Sequence, residues 1–204
     1  MSDKKTVIIT GASGGIGAGL VEGFLKEGYN VVGTYLNASQ SLNASPTLVL
    51  IDGDIGKQET AANVVEATIH HFGTIDAPVN NAGIYRTKPF IDFTTDDFDA
   101  LVSTNLLGYQ CLCFDDYERG LNTVTRSLAI EYARDGIRFN AVAPGVFDTL
   151  LHKDSPEDSL ATRQPMGKVT EVKDILDAVL YLTRAAQVTG EVIHVDGGAH
   201  AGRW

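Results

Sequence analysis

Short runs that are apolar throughout alternate along this chain with stretches whose apolar residues recur every three or four positions. TVIIT at 6–10 is the first run; GASGGIG follows, then Leu20, Val21, Phe24 and Leu25, which stop before Gly28. That order predicts strand, glycine turn and helix. NVVGTY at 30–35, TLVLI at 47–51 and APVN at 77–80 are further runs, too continuous in apolar character for strands with one wet face. They suit a parallel sheet covered on both sides. Helical spacing returns at Val64, Val65, Ile69 and Phe72 before Gly73, and at Leu121, Val124, Leu128 and Tyr132 before Gly136. Each glycine is placed as a C-terminal cap. After RFNAVA at 138–143 comes a polar loop, then Val172, Ile175, Leu176, Val179 and Leu180 on a last helix, and finally the strand EVIHV. The Thr170 side chain is positioned to cap that last helix.

Alternating strand and helix predicts an α/β fold, a doubly wound parallel sheet of Rossmann-like form, as one domain over 1–204. One step breaks the alternation. Between the fourth strand and RFNAVA the pattern is helical, although right-handed crossovers need a strand there for the sheet to stay covered on both sides. The only candidate is YQCLCF at 109–114, short and directly after Gly108. One central strand is therefore missing from the pattern.

A chain of 204 residues is long enough to bury roughly 70% of its unfolded surface as one domain. Its formal net charge of −10 repels phosphate backbones and anionic lipid, which argues against nucleic-acid and membrane-surface partners. Cys111 and Cys113 are too few and too close for a disulfide framework, and their spacing is not CxxC; they read as structural thiols. Only Lys4 and Lys5 precede the short VIIT run, no segment approaches the roughly 20 apolar residues of a membrane span, and a cytoplasmic protein is expected. No metal-ligand pattern stands out. The duplicated LNAS at 36–39 and 42–45 reads as a polar surface loop.

A glycine turn between a buried strand and a helix aims backbone N–H groups and the positive end of the helix dipole at one point, which suits a phosphate. In TGASGGIG, Gly11 permits the tight turn, Gly15 lets the backbone approach a pyrophosphate, and Gly17 lets the helix lie close to the strand. The spacing TGxxxGxG, NNAG at 80–83, Asn105 in STNLLG, Pro144-Gly145 and DGG at 196–198 together resemble the short-chain dehydrogenase/reductase family, over residues 5–110 and 121–204. The resemblance implies that Gly11, Ser13, Ile16 and Gly17 hold the pyrophosphate of NAD or NADP, and that Asp54 and Ile55 meet the adenine. Asn81, Ala82 and Gly83 would line the adenine ribose side, Asn81 also tying the fourth strand to its neighbour. Pro144, Gly145, Val146 and Thr149 would surround the nicotinamide, and Asn105 would be a catalytic-site residue supporting a water relay. It further implies a small alcohol or carbonyl substrate, a homodimer or homotetramer, and a substrate lid in the loop at about 147–168. At the end of the second strand, GTYLN with Tyr35 carries neither an acid for the NAD 2′-hydroxyl nor a base for the NADP 2′-phosphate. With no acid to repel a phosphate, NADP is favoured.

Family members pair a catalytic Tyr with a Lys four residues later and a Ser on the preceding strand. The ammonium matters because an unperturbed tyrosine is a poor base at neutral pH. Counting back from the helix at Leu121 puts Glu118 at the Lys position and Phe114 at the Tyr position. Tyr117 is the nearest tyrosine, and its closest cation, Arg119, is two residues on. Three accounts stay open: roughly 30 residues are absent from a longer protein, the chain is a shortened nucleotide-binding relative acting as sensor or scaffold, or an unusual site uses Tyr117. The first best explains flanks that match the family beside a DDYERG that matches nothing. It predicts a Cα–Cα separation well beyond the about 3.8 Å of a trans peptide between Gly108 and Leu121, and an empty strand position after the fourth strand.

Overall fold

The computed structural model describes residues 4–36, 43–86, 88–107, 118–147 and 164–202, with backbone alone at 106–107 and 118–121. The expectations that fall on Gly108 to Tyr117, on Thr149 and on most of the 147–168 loop lie outside these residues. Two compact units, Met1–Asp115 and Asp116–Trp204, make up the chain.

In the first unit, β1 (Thr6–Ile9), β2 (Asn30–Tyr35), β3 (Leu48–Asp52) and β4 (Ala77–Val79) form a parallel sheet in the order β3-β2-β1-β4. Val7 to Ile9 face Val31 to Gly33 on one side and Ala77 to Val79 on the other. β1 is buried at every position because it is interior and covered on both faces. Ile8 and Val32 pack with Val64 of α2 (Gln58–Phe72), joined by Val49, Ile51, Phe72 and Ile75. Strand side chains alternate, so Val7 and Ile9 serve the opposite face. Leu20, Val21 and Phe24 of α1 (Gly15–Lys26) are buried in their turn, Phe24 edge-on to Tyr29 at 5.1 Å.

Two details depart from the sequence pattern. β3, apolar along its length, is the edge strand and buries only Leu48 fully, while Pro78 of β4 is exposed. Val65 and Ile69 are exposed, and α2 instead buries Thr60, Val64 and Thr68, the last because its hydroxyl donates back to the Val64 carbonyl at 2.6 Å. Such a bond satisfies the hydroxyl inside the helix. Among the described residues no strand occurs in the chain between Val79 and Ala141, and β4 pairs with β1 alone. Asn80, at the end of β4, is 4% exposed and neither atom of its amide has a partner among the described residues.

The second unit contains α4 (Glu118–Glu131), β5 (Ala141–Pro144), α5 (Val172–Arg184) and β6 (Val192–Val195). β5 and β6 run parallel, Ala141 opposite Val192 and Pro144 opposite Val195. The strand in RFNAVA starts only at Ala141; before it, the Phe139 N–H donates to the Thr189 hydroxyl and the Asn140 amide oxygen accepts from the Glu191 N–H, both at 3.1 Å, instead of pairing strand to strand. The Arg138 guanidinium donates to the carbonyls of Leu182 and Thr183 at 2.7 and 2.9 Å, which the end of α5 leaves free, and to that of Val188 beyond it at 3.1 Å. Thr170 does not cap α5, contrary to the expectation. Glu171 holds the N-cap, in a capping box with Asp174, and the buried Thr170 hydroxyl turns to Gln164 and the Val195 carbonyl. Among the described residues no helix is long and apolar enough to cross a membrane.

Candidate functional site

The chain of the first unit builds outward from β1 to β2 and β3, then returns to place β4 on the other side of β1. Loops after β1 and β4 therefore meet at a topological switch point, where α/β sheets bind ligands. Gly11 and the NNAG segment lie there, and one threonine joins them. Thr10, fully buried, accepts hydrogen bonds at its Oγ1 from the N–H groups of Asn81 and Ala82, both at 2.9 Å. The Asn81 amide donates to the Thr10 carbonyl at 2.9 Å and to that of Gly11 at 3.3 Å. Sequence reading placed Asn81 and missed Thr10. The available signal was a hydroxyl closing an otherwise aliphatic strand, where it meets only backbone.

Gly11 has φ +65°, and a Cβ there would lie 2.9 Å from the Ala82 Cα. Gly17 is tighter still: its Cβ would stand 2.1 Å from the Gly11 oxygen and 2.5 Å from the Asn81 amide nitrogen. α1 thus begins against the loop backbone. Its N-cap, Gly14, makes no side-chain cap bond and its first turn carries no acid, while Gly14 and Gly15 look onto open space. Free N–H groups, an unopposed dipole and room together fit a diphosphate. Tyr35 ends β2, and Asp54 accepts from the Gly56 N–H at 2.9 Å beside the buried Ile55. Ser13 and Ile16 belong to the same turn and helix start.

Asn105 sits in a π-helical turn, Ser103–Leu107, after α3 (Thr95–Val102). It accepts from the Ile84 N–H and donates to the Ile84 carbonyl, both at 2.9 Å. Gly83 lies beside it, a Cβ there reaching the Asn105 Oδ1 at 3.6 Å. The pairing fixes the amide orientation and, among the described residues, leaves it one hydrogen and one lone pair. The loop between is held at the start of α3. Asp97 forms a capping box with Thr94 and ion pairs with Lys88 and Arg86. The Lys88 hydrogen bond, then those of Thr94 and Arg86, hold the Asp97 carboxyl well below the usual carboxylate range.

A folded-state value below the unfolded one gives stability that is present above about pH 4 and is lost as pH falls through the folded value. Asp97→Asn is therefore expected to unfold at lower temperature than the wild type at pH 7. The gap should close progressively as thermal scans are run below pH 4. An equal gap at every pH would show that the charge is irrelevant.

In the second unit, Pro144 ends β5 and Gly145 and Val146 follow it, with the Gly145 N–H donating to the Val195 carbonyl at 2.9 Å. Asp196 lies directly behind: a Cβ on Gly145 would come within 2.6 Å of its Cα. Burial raises the Asp196 carboxyl, but bonds from the His200 ring, the His200 N–H and the Gly198 N–H outweigh it and leave the group below its ordinary value. His200 stacks on His194 with ring centroids 4.0 Å apart. Among the described residues no group of three or more His, Cys, Asp or Glu could hold a metal ion.

Residues 5–114 match the family model described as short chain dehydrogenase, and residues 117–200 match the one described as enoyl-(acyl carrier protein) reductase. The 3β-hydroxysteroid dehydrogenase 1 of Eggerthella lenta is 30% identical over 242 aligned positions, covering 95% of this chain and 93% of the relative. Human 3-oxoacyl-[acyl-carrier-protein] reductase is 28% identical, covering 95% and 97%. Among solved structures, ElxO with NADP bound superposes with a TM-score of 0.84 at 25% identity over 98% of this chain and 100% of that one. A glucose/ribitol dehydrogenase-type member from Brucella melitensis gives 0.85 at 28% identity, over 96% of each chain. An alignment of 242 positions exceeds the 204 residues of this chain, so the Eggerthella relative has internal positions without a counterpart here. The first family match ends at 114 and the second begins at 117.

Proposed function

The chain belongs to the short-chain dehydrogenase/reductase family, and from that premise we propose that both units form one dinucleotide-binding domain working on a small alcohol or carbonyl compound. It is an NAD(P)-dependent oxidoreductase. The observation that carries the site assignment is the uncapped start of α1 held against the Gly11 loop by the Thr10–Asn81 bonds. Gly11, Ser13, Gly15, Ile16 and Gly17 would hold the pyrophosphate, Asp54 and Ile55 the adenine, and Asn81 to Gly83 the ribose side. Pro144, Gly145, Val146 and Thr149 would line the nicotinamide. When bound, that ring supplies or accepts the hydride. This chain's own residues orient the ring and hold water near the reacting carbon, the latter through the spare hydrogen-bonding capacity of Asn105. By resemblance the proton that must accompany the hydride would come from a Tyr assisted by a Lys; the positions counted for them hold Phe114 and Glu118, neither of which can do this.

NADP is the favoured cofactor. Tyr35 stands where an acid would bind the NAD ribose, and the space around Gly14 leaves room for the extra phosphate. Tyr35→Asp is expected to weaken NADP binding about tenfold while sparing NAD, because a carboxylate there repels the 2′-phosphate. Calorimetric titration with both cofactors measures this, and an unchanged ratio would reject the placement of Tyr35. A cytoplasmic homodimer or homotetramer is the proposed working form, to be tested by sedimentation. Steady-state assays with alcohols, ketones and both cofactors test the reaction. Cofactor binding without turnover by the 204-residue chain would confine it to nucleotide binding.

A further inference from the structure

Gln164 is a polar residue only 3% exposed, at a place where nothing in the sequence pattern asks for one. Its amide nitrogen donates to the Val146 carbonyl at 2.8 Å, and its amide oxygen accepts from the Thr170 hydroxyl at 3.2 Å. Thr170 shares that one hydrogen with the Val195 carbonyl at 3.1 Å, and its own N–H donates to Val146 at 3.0 Å. The Val146 oxygen therefore receives two bonds. Its N–H meets no acceptor among the described residues. The Gln164 oxygen also lies where a Cβ on Gly145 would be 2.9 Å away, and one on Gly197 2.7 Å away, so both neighbouring strand ends are glycine where the amide sits. Met166 and Gly167 close the turn around it, the Met166 N–H on the Gly197 carbonyl and the Gly167 N–H on that of Gln164.

We propose that Gln164 is a positioning residue for the nicotinamide half of the cofactor: with the Thr170 N–H it holds the Val146 carbonyl, and so the course of the backbone at 145–147 that would line the ring. The proposal rests on assigning 144–146 to the nicotinamide. The Val146 carbonyl shares its rigid peptide plane with the Phe147 N–H, so two bonds on that oxygen fix the orientation of the whole 146–147 peptide unit. An aliphatic residue could fill the same space but would leave the Val146 oxygen held by the Thr170 N–H alone. A buried amide without partners would be costly, and here all the bonds are internal to the segment it orders.

The test compares ligands with and without the nicotinamide. Gln164→Met removes both amide bonds at similar volume, and Gln164→Glu keeps the shape and the acceptor while setting an oxygen against the Val146 carbonyl. Each folded variant, checked by thermal unfolding, is titrated with NADP and with 2′-phospho-ADP-ribose, and in parallel with NAD and ADP-ribose. The wild type should bind the dinucleotide more tightly than its nicotinamide-free fragment. Both variants should lose about tenfold on the dinucleotide, the scale of one buried hydrogen bond, and nothing on the fragment. Wild-type affinity in Gln164→Glu, or equal losses on both ligands, would overturn the positioning role while leaving the segment's assignment standing. A wild type that binds fragment and dinucleotide equally would remove the assignment of 144–146 itself, and the proposal with it.

Discussion

Replacing Gly17 by alanine is expected to weaken cofactor binding by about a hundredfold, the loss that follows when a binding element is displaced by roughly an ångström. The methyl group would sit 2.1 Å from the Gly11 oxygen and 2.5 Å from the Asn81 amide nitrogen. Neither neighbour can swing away. The first is backbone, and the second is held by the carbonyls of Thr10 and Gly11. The start of α1 must then move off the loop, which separates the helix N-terminus from the N–H groups that share its ligand. Such overpacking also destabilises the fold by about 1–3 kcal/mol. Gly14→Ala is the matched control, because φ there is −164° and a Cβ meets nothing within 4 Å. Calorimetry with NADP should report a severe loss for Gly17→Ala, and urea unfolding should report lower stability for Gly17→Ala but near wild-type stability for Gly14→Ala. Equal stability of the two would show that close approach of helix and loop does not govern this turn.

Thr10→Val is expected to lower the unfolding free energy by about 2–4 kcal/mol, since each buried N–H left without an acceptor costs about 1–3 kcal/mol. Valine has nearly the same shape, so no cavity opens and no packing changes. What disappears is the oxygen that takes the N–H groups of Asn81 and Ala82. Those groups sit at the end of β4, beside Asn80, whose buried amide already has no partner among the described residues. The segment has little left to hold it. Thr10→Ser keeps the oxygen and should recover most of the stability in denaturant titration. A serine variant as unstable as the valine one would place the effect in lost methyl packing instead.

The local rules of the sequence carried far in this protein. Aliphatic runs bounded by glycine gave β1, β2 and the start of α1, because a strand covered on both faces and a helix against it leave few other arrangements for residues such as Val7, Ile8, Phe24 and Val32. Spacing within TGASGGIG and NNAG marked the glycine turn and its neighbour, since backbone approach restricts those positions to small residues. The break in alternation between APVN and RFNAVA was legible too, as a helical stretch where a β run was expected. Partnership between distant residues could not be read in this way. Nothing local says that β3 is an edge, that Thr170 turns from its helix to the sheet, that Arg138 caps a helix beginning 34 positions later, or that Gln164 is buried against Val146. A polar side chain has no period to betray its partner, and its orientation is settled by whichever donor or acceptor the tertiary structure leaves unsatisfied within reach. The sequence by itself determined where the sheet, the helices and the glycine turn lie along the chain; the tertiary structure decided which polar groups hold those pieces in place.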